Sequence, residues 1–258
     1  MTAFFKEVIA IVEQYYPYFL QGIGYTMLIA LVGTSVGLVI GLITGIIRTI
    51  PKSKSPVIRG ILKVVNALIS IYVEIFRGTP MMVLSMVIFW GYAFMNNGNT
   101  LPLIPAGIFI VSINTGAYMA EIVRGGIISI DKGQFEGAYS IGMNHFQAMM
   151  SVVVPQTMRN ILPAISNEFV INIKDTSVLN VIGVTELYFF TAKISKMTWA
   201  IFETYVVACV IYFILTFTIT RILKYIERRI DGPSSYVIHH SSTMPDESFT
   251  VKEASGNE

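Results

Sequence analysis

Long runs of apolar residues restrict what this chain can fold into more than any other feature of its sequence. Five runs stand out, and they cover about 22–47, 64–94, 103–123, 161–184 and 201–223. A helix of about 20 apolar residues is long enough to cross the hydrocarbon core of a bilayer, which is about 30 Å thick. Since only 13% of the 258 residues are charged, the runs predict an all-α membrane protein with about five transmembrane helices.

The second run differs from the others because polar residues and a proline interrupt it. Glu74, Arg77 and Pro80 all lie within 64–94, and proline removes a backbone donor that a straight helix needs. We therefore expect one long bent segment in this region rather than two full crossings.

The positions of lysine and arginine predict the orientation, because the cytoplasmic flanks of membrane helices carry an excess of both. One side receives the basic residues that follow the first, third and fifth runs, which are Arg48, Lys52, Lys54, Arg59, Lys63, Arg124, Lys132, Arg159, Arg221, Lys224, Arg228 and Arg229. The other side receives only Lys6, Lys193 and Lys196. The amino terminus is thus predicted outside and the carboxyl terminus in the cytoplasm, which places 134–159 in the cytoplasm as well.

Three further stretches have a distinct composition. Residues 1–20 mix apolar and charged positions and predict either an amphipathic helix in the outer membrane interface or a frayed terminus. Glycines recur every four residues at Gly33, Gly37, Gly41 and Gly45, which predicts a smooth face for close helix packing within the transmembrane domain 21–230. The polar stretch 231–258 cannot bury enough apolar surface to fold alone and is expected to be a disordered cytoplasmic tail.

The cysteine and histidine residues of this chain are few and show no spacing typical of a disulfide or a metal site. The single cysteine, Cys209, can form no intrachain disulfide, and His145, His239 and His240 have no partners at metal-ligand spacing, so we expect no metal site. No Gly-x-x-x-x-Gly-Lys-Ser/Thr phosphate loop occurs in the chain. The chain itself is therefore not expected to bind and hydrolyse ATP in the usual way.

The stretch 134–159 interrupts the apolar runs and predicts a helical hairpin. Gly142 stands where a left-handed helix cap is favourable, and Asn144 is a preferred N-cap for a second helix over about 145–154. Pro155 is expected to end that helix. The apolar face of the second helix consists of Phe146, Met149, Met150 and Val153. Such a face suits an adaptable contact with a soluble protein, although a hairpin that lies on the bilayer or on its own spans stays open.

The same hairpin resembles the EAA motif of ABC-importer permeases. In that motif Glu-Ala-Ala is followed by three residues, a glycine, nine residues and Ile-x-Leu-Pro, and the matching positions here are Glu136, Gly137, Ala138, Gly142, Val152, Val154 and Pro155. Gly137 replaces the second-position alanine, and valines replace the isoleucine and leucine. The spacing of the family motif is kept throughout.

Further stretches resemble the polar amino-acid uptake subgroup of that family. They are 72–80 (YVEIFRGTP), 117–121 with 124–127 (AYMAE and RGGI), and 163–168 with 174–177 (PAISNE and KDTS). The resemblance covers about 20–230 and implies the type I ABC-importer permease fold in a bacterial-type plasma membrane. It also implies a permease subunit for a polar amino acid or cystine, similar to histidine, glutamine, arginine and cystine permeases.

The family resemblance implies that the chain is a transport subunit and no enzyme, that it needs no cofactor of its own, and that it works with partner proteins. They are a second permease subunit, identical or homologous, two ATPase subunits that hold ATP and Mg, and an extracytoplasmic amino-acid-binding protein; no nucleic acid is expected. In that family the hairpin enters a groove on the ATPase, and the implied coupling positions are Glu136, Gly137, Ala138, Gly142, Phe146 and Pro155. Glu136 is expected to pair with a basic ATPase residue, while Ala138 and Gly142 keep the hairpin thin.

Polar residues inside the spans are candidates for the transport route, because charges in hydrocarbon are costly and are usually functional or paired. The candidates for the route or its gate are Glu74, Arg77, Asn114, Thr115, Glu121, Asn167, Glu168, Lys174, Asp175, Thr176 and Ser177. A zwitterionic amino acid needs contacts of both signs, which this set provides. Structural alternatives stay open: charges at the cytoplasmic interface, a Lys174 that only neutralises Asp175, or hydroxyls and amides that bond helices together.

Two other functions compete with an ATP-driven importer at this point. An ATP-independent channel or carrier would transport small polar solutes without any ATPase subunit. A membrane scaffold would only recruit a cytoplasmic partner through the hairpin. Substrate-stimulated ATP hydrolysis in the assembled complex distinguishes the importer from both.

Overall fold

The structure is a computed structural model, and it describes residues 2–51 and 55–231. The expected tail 231–258 lies outside the described residues apart from Asp231, with which the last helix ends. His239 and His240 lie outside them as well, as do Lys52 and Lys54.

Helices make up nearly all of the described chain. In order, they are α1 (Thr2–Thr49), α2 (Pro56–Gly78), α3 (Met81–Met95), α4 (Leu103–Ile128), α5 (Lys132–Ser140), α6 (His145–Ala148), α7 (Val154–Asp175), α8 (Leu187–Thr198) and α9 (Ile201–Asp231). A π-helical turn, Met149–Val153, joins α6 to α7, and a 3₁₀ helix, Thr176–Ile182, follows α7. No strand occurs within 2–51 and 55–231.

Several helices are long and apolar enough to cross a bilayer. The stretches that qualify alone are Phe4–Thr49, Pro56–Gly78, Leu103–Ile128 and Ile201–Ile230. A fifth crossing is formed if His145–Ile182 and Leu187–Thr198, which meet at an angle of 57°, are taken together. The prediction of an all-α membrane protein with about five transmembrane helices is confirmed. The orientation of the two termini stays a prediction.

The run 64–94 forms two helices rather than one bent segment, so that prediction is wrong. Helix α2 ends at Gly78 and α3 begins at Met81, with extended backbone at Thr79 (φ −120°, ψ 135°). Pro80 explains the break, because its ring disfavours helical backbone in the residue before it. Helix α2 also begins earlier than expected and is long enough to cross alone, whereas α3 has only 15 residues.

Helix α1 is continuous across the expected boundary between 1–20 and the transmembrane domain. Its 48 residues make it about 72 Å long. Ile11 and Phe19 are buried in one cluster with apolar residues of α8 and α9. The first part of α1 therefore packs on the protein's own helices, while its position relative to the bilayer stays a prediction.

Helices α1 and α4 form the most extensive helix contact in the described chain. The α1 glycines at positions 33, 37, 41 and 45 line it, and a methyl group on any of them would come closer than 3.0 Å to α4. Their neighbours on α4 are, in order, Val111, Thr115, Met119 and Val123. Both series advance together along the chain, so the two helices run parallel. The predicted use of the glycines for close packing is confirmed.

Candidate functional site

The hairpin begins with α5 and turns at 141–144. Gly142 has a φ of 85°, the left-handed conformation expected for it, and an added methyl group there would meet no atom within 4 Å. Asn144 caps α6, because its Oδ1 accepts from the Gln147 N–H at 2.9 Å and its own N–H donates to Gln147 Oε1 at 3.0 Å. The predicted turn is confirmed. Glycine is favoured at position 142 because the backbone is left-handed there, not because another part of the protein packs closely against it.

The second helix of the hairpin does not end at Pro155, so that prediction is wrong. The chain remains helical from α6 through the π-helical turn into α7. At the end of that turn the Val154 N–H donates to the Met149 carbonyl. The wider turn makes room for the proline ring, and Pro155 lies in the first turn of α7, where its missing N–H matters least. The hairpin is therefore joined to α7 without an interruption.

The apolar face predicted for the second helix is divided between the interior and the surface. Met149 and Val153 are buried among residues of α4 and α7, so they are not part of an exposed contact face. Phe146, by contrast, is 72% exposed. The exposed apolar residues of the hairpin are Tyr139, Ile141, Phe146 and Met150, and they are called the hairpin patch below.

The residues that match the EAA motif differ in their exposure. Ala138 is buried, so its side chain packs inside the protein and cannot touch a partner. Glu136 and Gly137 are exposed, and Glu136 forms no ion pair with any residue of the described chain. The hairpin thus offers a partner one carboxylate beside the hairpin patch.

Several of the predicted route residues line one cavity of about 400 Å³, called the Glu168 cavity below. They are Arg77, Asn114, Glu168 and Asp175, and they come from α2, α4 and α7. Asn114 is only 7% exposed, and its buried Oδ1 accepts no hydrogen bond from the described residues. Charges of both signs and an unsatisfied acceptor therefore line one space between three helices.

A second cavity of about 490 Å³ adjoins the first and is called the Glu121 cavity below. Glu74, Arg77 and Glu121 line it together with Arg48. The Glu121 carboxylate forms two ion pairs, one with Arg48 and one, at 2.7 Å, with Arg124. Because Arg48 belongs to α1, this charged group ties α1 to α4. Both cavities are lined by Arg77, Gly78 and Tyr118.

Thr115 bonds to another helix rather than lining either cavity. Asn172 of α7 donates from Nδ2 to Thr34 Oγ1 of α1 at 2.8 Å and to Thr115 Oγ1 of α4 at 2.9 Å. All three side chains are buried, and Asn172 also lines the Glu168 cavity. The hydroxyl of Thr176 is likewise occupied, since it donates to the Ile173 carbonyl of its own helical stretch at 3.0 Å.

The remaining route candidates lie in other parts of the molecule. Asn167 and Lys174 line separate clefts between α7 and α9, and Ser177 lines a cleft beside α3 and α8. Lys174 and Asp175 form no ion pair with each other in this part of the structure. Consecutive residues of a helix point about 100° apart, so the two side chains enter different spaces.

Glu186 was not among the predicted residues, yet it is fully buried between the 3₁₀ helix and α8. Its carboxylate accepts from the Tyr212 hydroxyl at 2.9 Å, the Phe189 N–H at 2.8 Å and the Thr26 hydroxyl at 3.4 Å. These bonds hold α1, α8 and α9 together. Glu186 is the only acidic residue in 176–202, and that isolation is the signal that could have found it.

Comparison with known proteins gives consistent matches over most of the chain. The family described as "Binding-protein-dependent transport system inner membrane component" matches residues 37–232. The L-cystine transport system permease protein TcyB of Bacillus subtilis (strain 168) is 35% identical over 220 residues, which cover 85% of this chain and 89% of TcyB. The glutamine transport system permease protein GlnP of Escherichia coli (strain K12) is 33% identical over 214 residues, or 83% of this chain and 93% of GlnP.

A solved structure has the same fold. It is described as the crystal structure of an amino acid ABC transporter with histidines, and the matched chain is 35% identical to this one. The match has a TM-score of 0.72 and covers 84% of this chain and 96% of the other. The expected ABC-importer permease fold is confirmed.

Proposed function

This chain belongs to the family of binding-protein-dependent transport system inner membrane components, and we propose that it carries a polar amino acid or cystine as the permease subunit of an ATP-driven importer. The observation that supports this most is the continuity of α7, which leads from the hairpin to the Glu168 cavity. One continuous helix thereby connects a surface for a soluble partner with a space for a solute.

The Glu168 cavity suits the groups that all free amino acids share. Arg77 supplies a cation for the α-carboxylate, and Glu168 with Asp175 supplies anions for the α-ammonium group. The unsatisfied Oδ1 of Asn114 can accept one more N–H. None of these contacts depends on the side chain of the solute, so the cavity fits a class of substrates rather than one amino acid.

The hairpin is the proposed docking site for the ATPase subunits, which hold ATP and Mg. Phe146 and the other members of the hairpin patch supply an exposed apolar contact, and Glu136 supplies a charge for a basic residue of the ATPase. Gly142 keeps the turn in a conformation that a side chain would strain. A second permease subunit, identical or homologous, and an extracytoplasmic binding protein complete the importer.

Movement of the hairpin reaches the cavity through α7. Glu168 and Asp175 lie on α7 itself, and Asn172 fastens that helix to α1 and α4 through buried hydrogen bonds. An ATPase that binds one arrangement of the hairpin more tightly than another therefore changes the population of cavity states. ATP hydrolysis by a distant subunit can in this way open the cavity first to one side of the membrane and then to the other.

Transport is tested with the complete complex in proteoliposomes. Uptake of L-cystine and of each common L-amino acid is measured with ATP, without ATP and without the ATPase subunits. We expect ATP-dependent uptake of at least one of these solutes, because the matched relatives are permeases of this kind. Uptake that persists at the same rate without ATPase subunits would indicate a channel or carrier instead.

Docking is tested by the substitution Phe146→Asp, which places a charge in the hairpin patch. A charge that must lose its water on docking costs several kcal/mol, so we expect recovery of the ATPase with the purified permease to fall by about tenfold or more. Phe94→Asp is the matched control, because Phe94 is 90% exposed at the end of α3. Equal recovery with both variants would mean that the ATPase binds elsewhere.

A further inference from the structure

We propose that the Glu121 cavity is a second substrate site, and that Arg77 serves both cavities while a zwitterionic amino acid passes between them. In this relay Arg77 keeps the α-carboxylate, and the α-ammonium group moves from Glu168 and Asp175 to Glu74. The inference rests on the proposed function, because it specifies how a solute leaves the Glu168 cavity.

The two cavities are consecutive along α4. Asn114 lines the Glu168 cavity, Tyr118 lines both, and Glu121 lines the second. The distance from Asn114 to Glu121 along the helix is about 10 Å. This direction leads to the end of α4 that continues into the hairpin. A solute that leaves the Glu168 cavity toward the hairpin therefore enters the Glu121 cavity next.

A solute in the Glu121 cavity meets one carboxylate and one guanidinium group of α2 that can bind it. The Glu121 carboxylate itself is already paired with Arg48 and Arg124. Glu74 and Arg77 form no ion pair within the described residues, although they are about one helical turn apart on α2. A carboxylate and a guanidinium on one helix face, neither of them held in an ion pair there, complement the ammonium and carboxylate groups of an amino acid.

Arg77 stands at the boundary between the two cavities. Its guanidinium carbon lies 5.6 Å from the centre of the Tyr118 ring, and both side chains line both cavities. A guanidinium has five N–H donors in a planar fork, so it can hold a carboxylate on either side while it stays on the ring. The carboxylate of the solute then never has to be released into a site without a counter-charge.

The polar residues of α2 continue the route beyond the Glu121 cavity. They recur every three or four positions on one helix face and are Arg59, Lys63, Asn66, Ser70, Glu74 and Arg77. The other face is apolar, and Leu68 on it is 62% exposed. The buried Oδ1 of Asn66 accepts no hydrogen bond from the described residues. Asn66, Ser70 and Glu74 lie in the inner part of this stripe, and since polar groups in hydrocarbon are costly, they indicate a water-filled passage.

The test separates binding from passage in the complete complex, with the amino acid that the wild-type importer carries as the probe. Glu74→Gln keeps the size of the side chain and removes its charge, so we expect the uptake rate to fall about tenfold. The affinity of the detergent-solubilised complex for the probe is expected to change less than about twofold, because the Glu168 cavity is intact. Glu168→Gln should instead weaken that affinity about tenfold.

Glu13→Gln is the matched control, because Glu13 lines neither cavity, and it should leave both quantities unchanged. The relay is wrong if Glu74→Gln transports at the wild-type rate, or if it weakens binding as much as Glu168→Gln does. Either result leaves the proposed function standing. Absence of ATP-dependent uptake by the wild-type complex would overturn the proposed function itself, and the relay with it.

Discussion

Helices α4 and α2 are both long enough to cross a bilayer, yet they are packed very differently. In the most apolar part of each helix, 61% of the α4 residues are buried, against 6% in α2. Helix α4 lies against the glycines of α1 and is bonded to α7 through Asn172. Helix α2 contacts α4 through Val73 and through the Tyr72 hydroxyl, which donates to the Ile113 carbonyl at 2.5 Å.

This difference separates three helices that hold the fold together from α2, whose charged residues are proposed to act in transport together with those of α7. Helices α1, α4 and α7 are held together by close packing and by buried hydrogen bonds. Both kinds of contact lie within this one chain. Helix α2 carries Glu74 and Arg77, and most of its surface is not packed against other described helices. Substitutions at the packed faces of the first group should therefore affect folding, whereas substitutions of the charged residues of α2 should affect transport.

Gly41→Leu should have the largest effect on folding. Its side chain would collide with Met119 and with the backbone of α4, and overpacking of this kind costs about 3 kcal/mol or more. We expect the thermal unfolding midpoint in detergent to fall by about 10 °C, or the folded protein to be lost.

Gly60→Leu on α2 is the matched control, because a methyl group at Gly60 would meet no atom within 4 Å. It should change the midpoint by less than about 2 °C. A similar loss in both variants would mean that α2 is packed as tightly as α4, and the comparison would fail.

Asn172→Leu should have the next largest effect, because it removes the bonds to Thr34 and Thr115 and leaves two buried hydroxyls without their partner. The expected loss is about 1–2 kcal/mol of stability, measured by thermal unfolding in detergent. Asn167→Leu, which faces the cleft toward α9, serves as the control and should cost less. A larger loss in the control would remove Asn172 from its proposed role in joining the three helices.

Leu68→Ala should have the smallest effect, since Leu68 is 62% exposed on α2. We expect its stability to stay within about 0.5 kcal/mol of the wild type. Val123→Ala on α4 removes fewer atoms but comes from a fully buried position, and it should cost more than about 1 kcal/mol. A larger loss of stability for Leu68→Ala than for Val123→Ala, measured by thermal unfolding, would contradict the inferred difference in packing between the two helices.

Much of the fold follows from local patterns. The apolar runs predict the number of crossings, because each crossing needs one helix of limited length. The four-residue glycine interval predicts close packing, and Gly142 with Asn144 predicts a turn, because these features depend on residues only a few positions apart.

The errors are local and concern prolines, whereas the omissions concern contacts between distant parts of the chain. Pro155 does not end a helix, because the preceding π-helical turn accommodates its ring. The isolated acidic position of Glu186 marks it in the sequence but does not reveal its role, since its hydrogen-bond partners include residues of α1 and α9. The meeting of Arg77 with Glu168 in one cavity likewise depends on how α2 and α7 pack around α4. Packing of this kind is not encoded in any short stretch of sequence.

Helix α1 is too long to lie entirely within the hydrocarbon core of a bilayer, even if it is strongly tilted. A helix inclined by as much as 40° crosses a core of about 30 Å in roughly 26 residues, whereas α1 has 48. Because its glycines pair with α4, we expect the surplus of about 20 residues to fall at the beginning of the helix. Phe5, Ile9 and Leu20 in that part are 59%, 55% and 60% exposed. Removal of such side chains from water is favourable, so we expect lipid headgroups or a neighbouring subunit to cover the projecting end of α1.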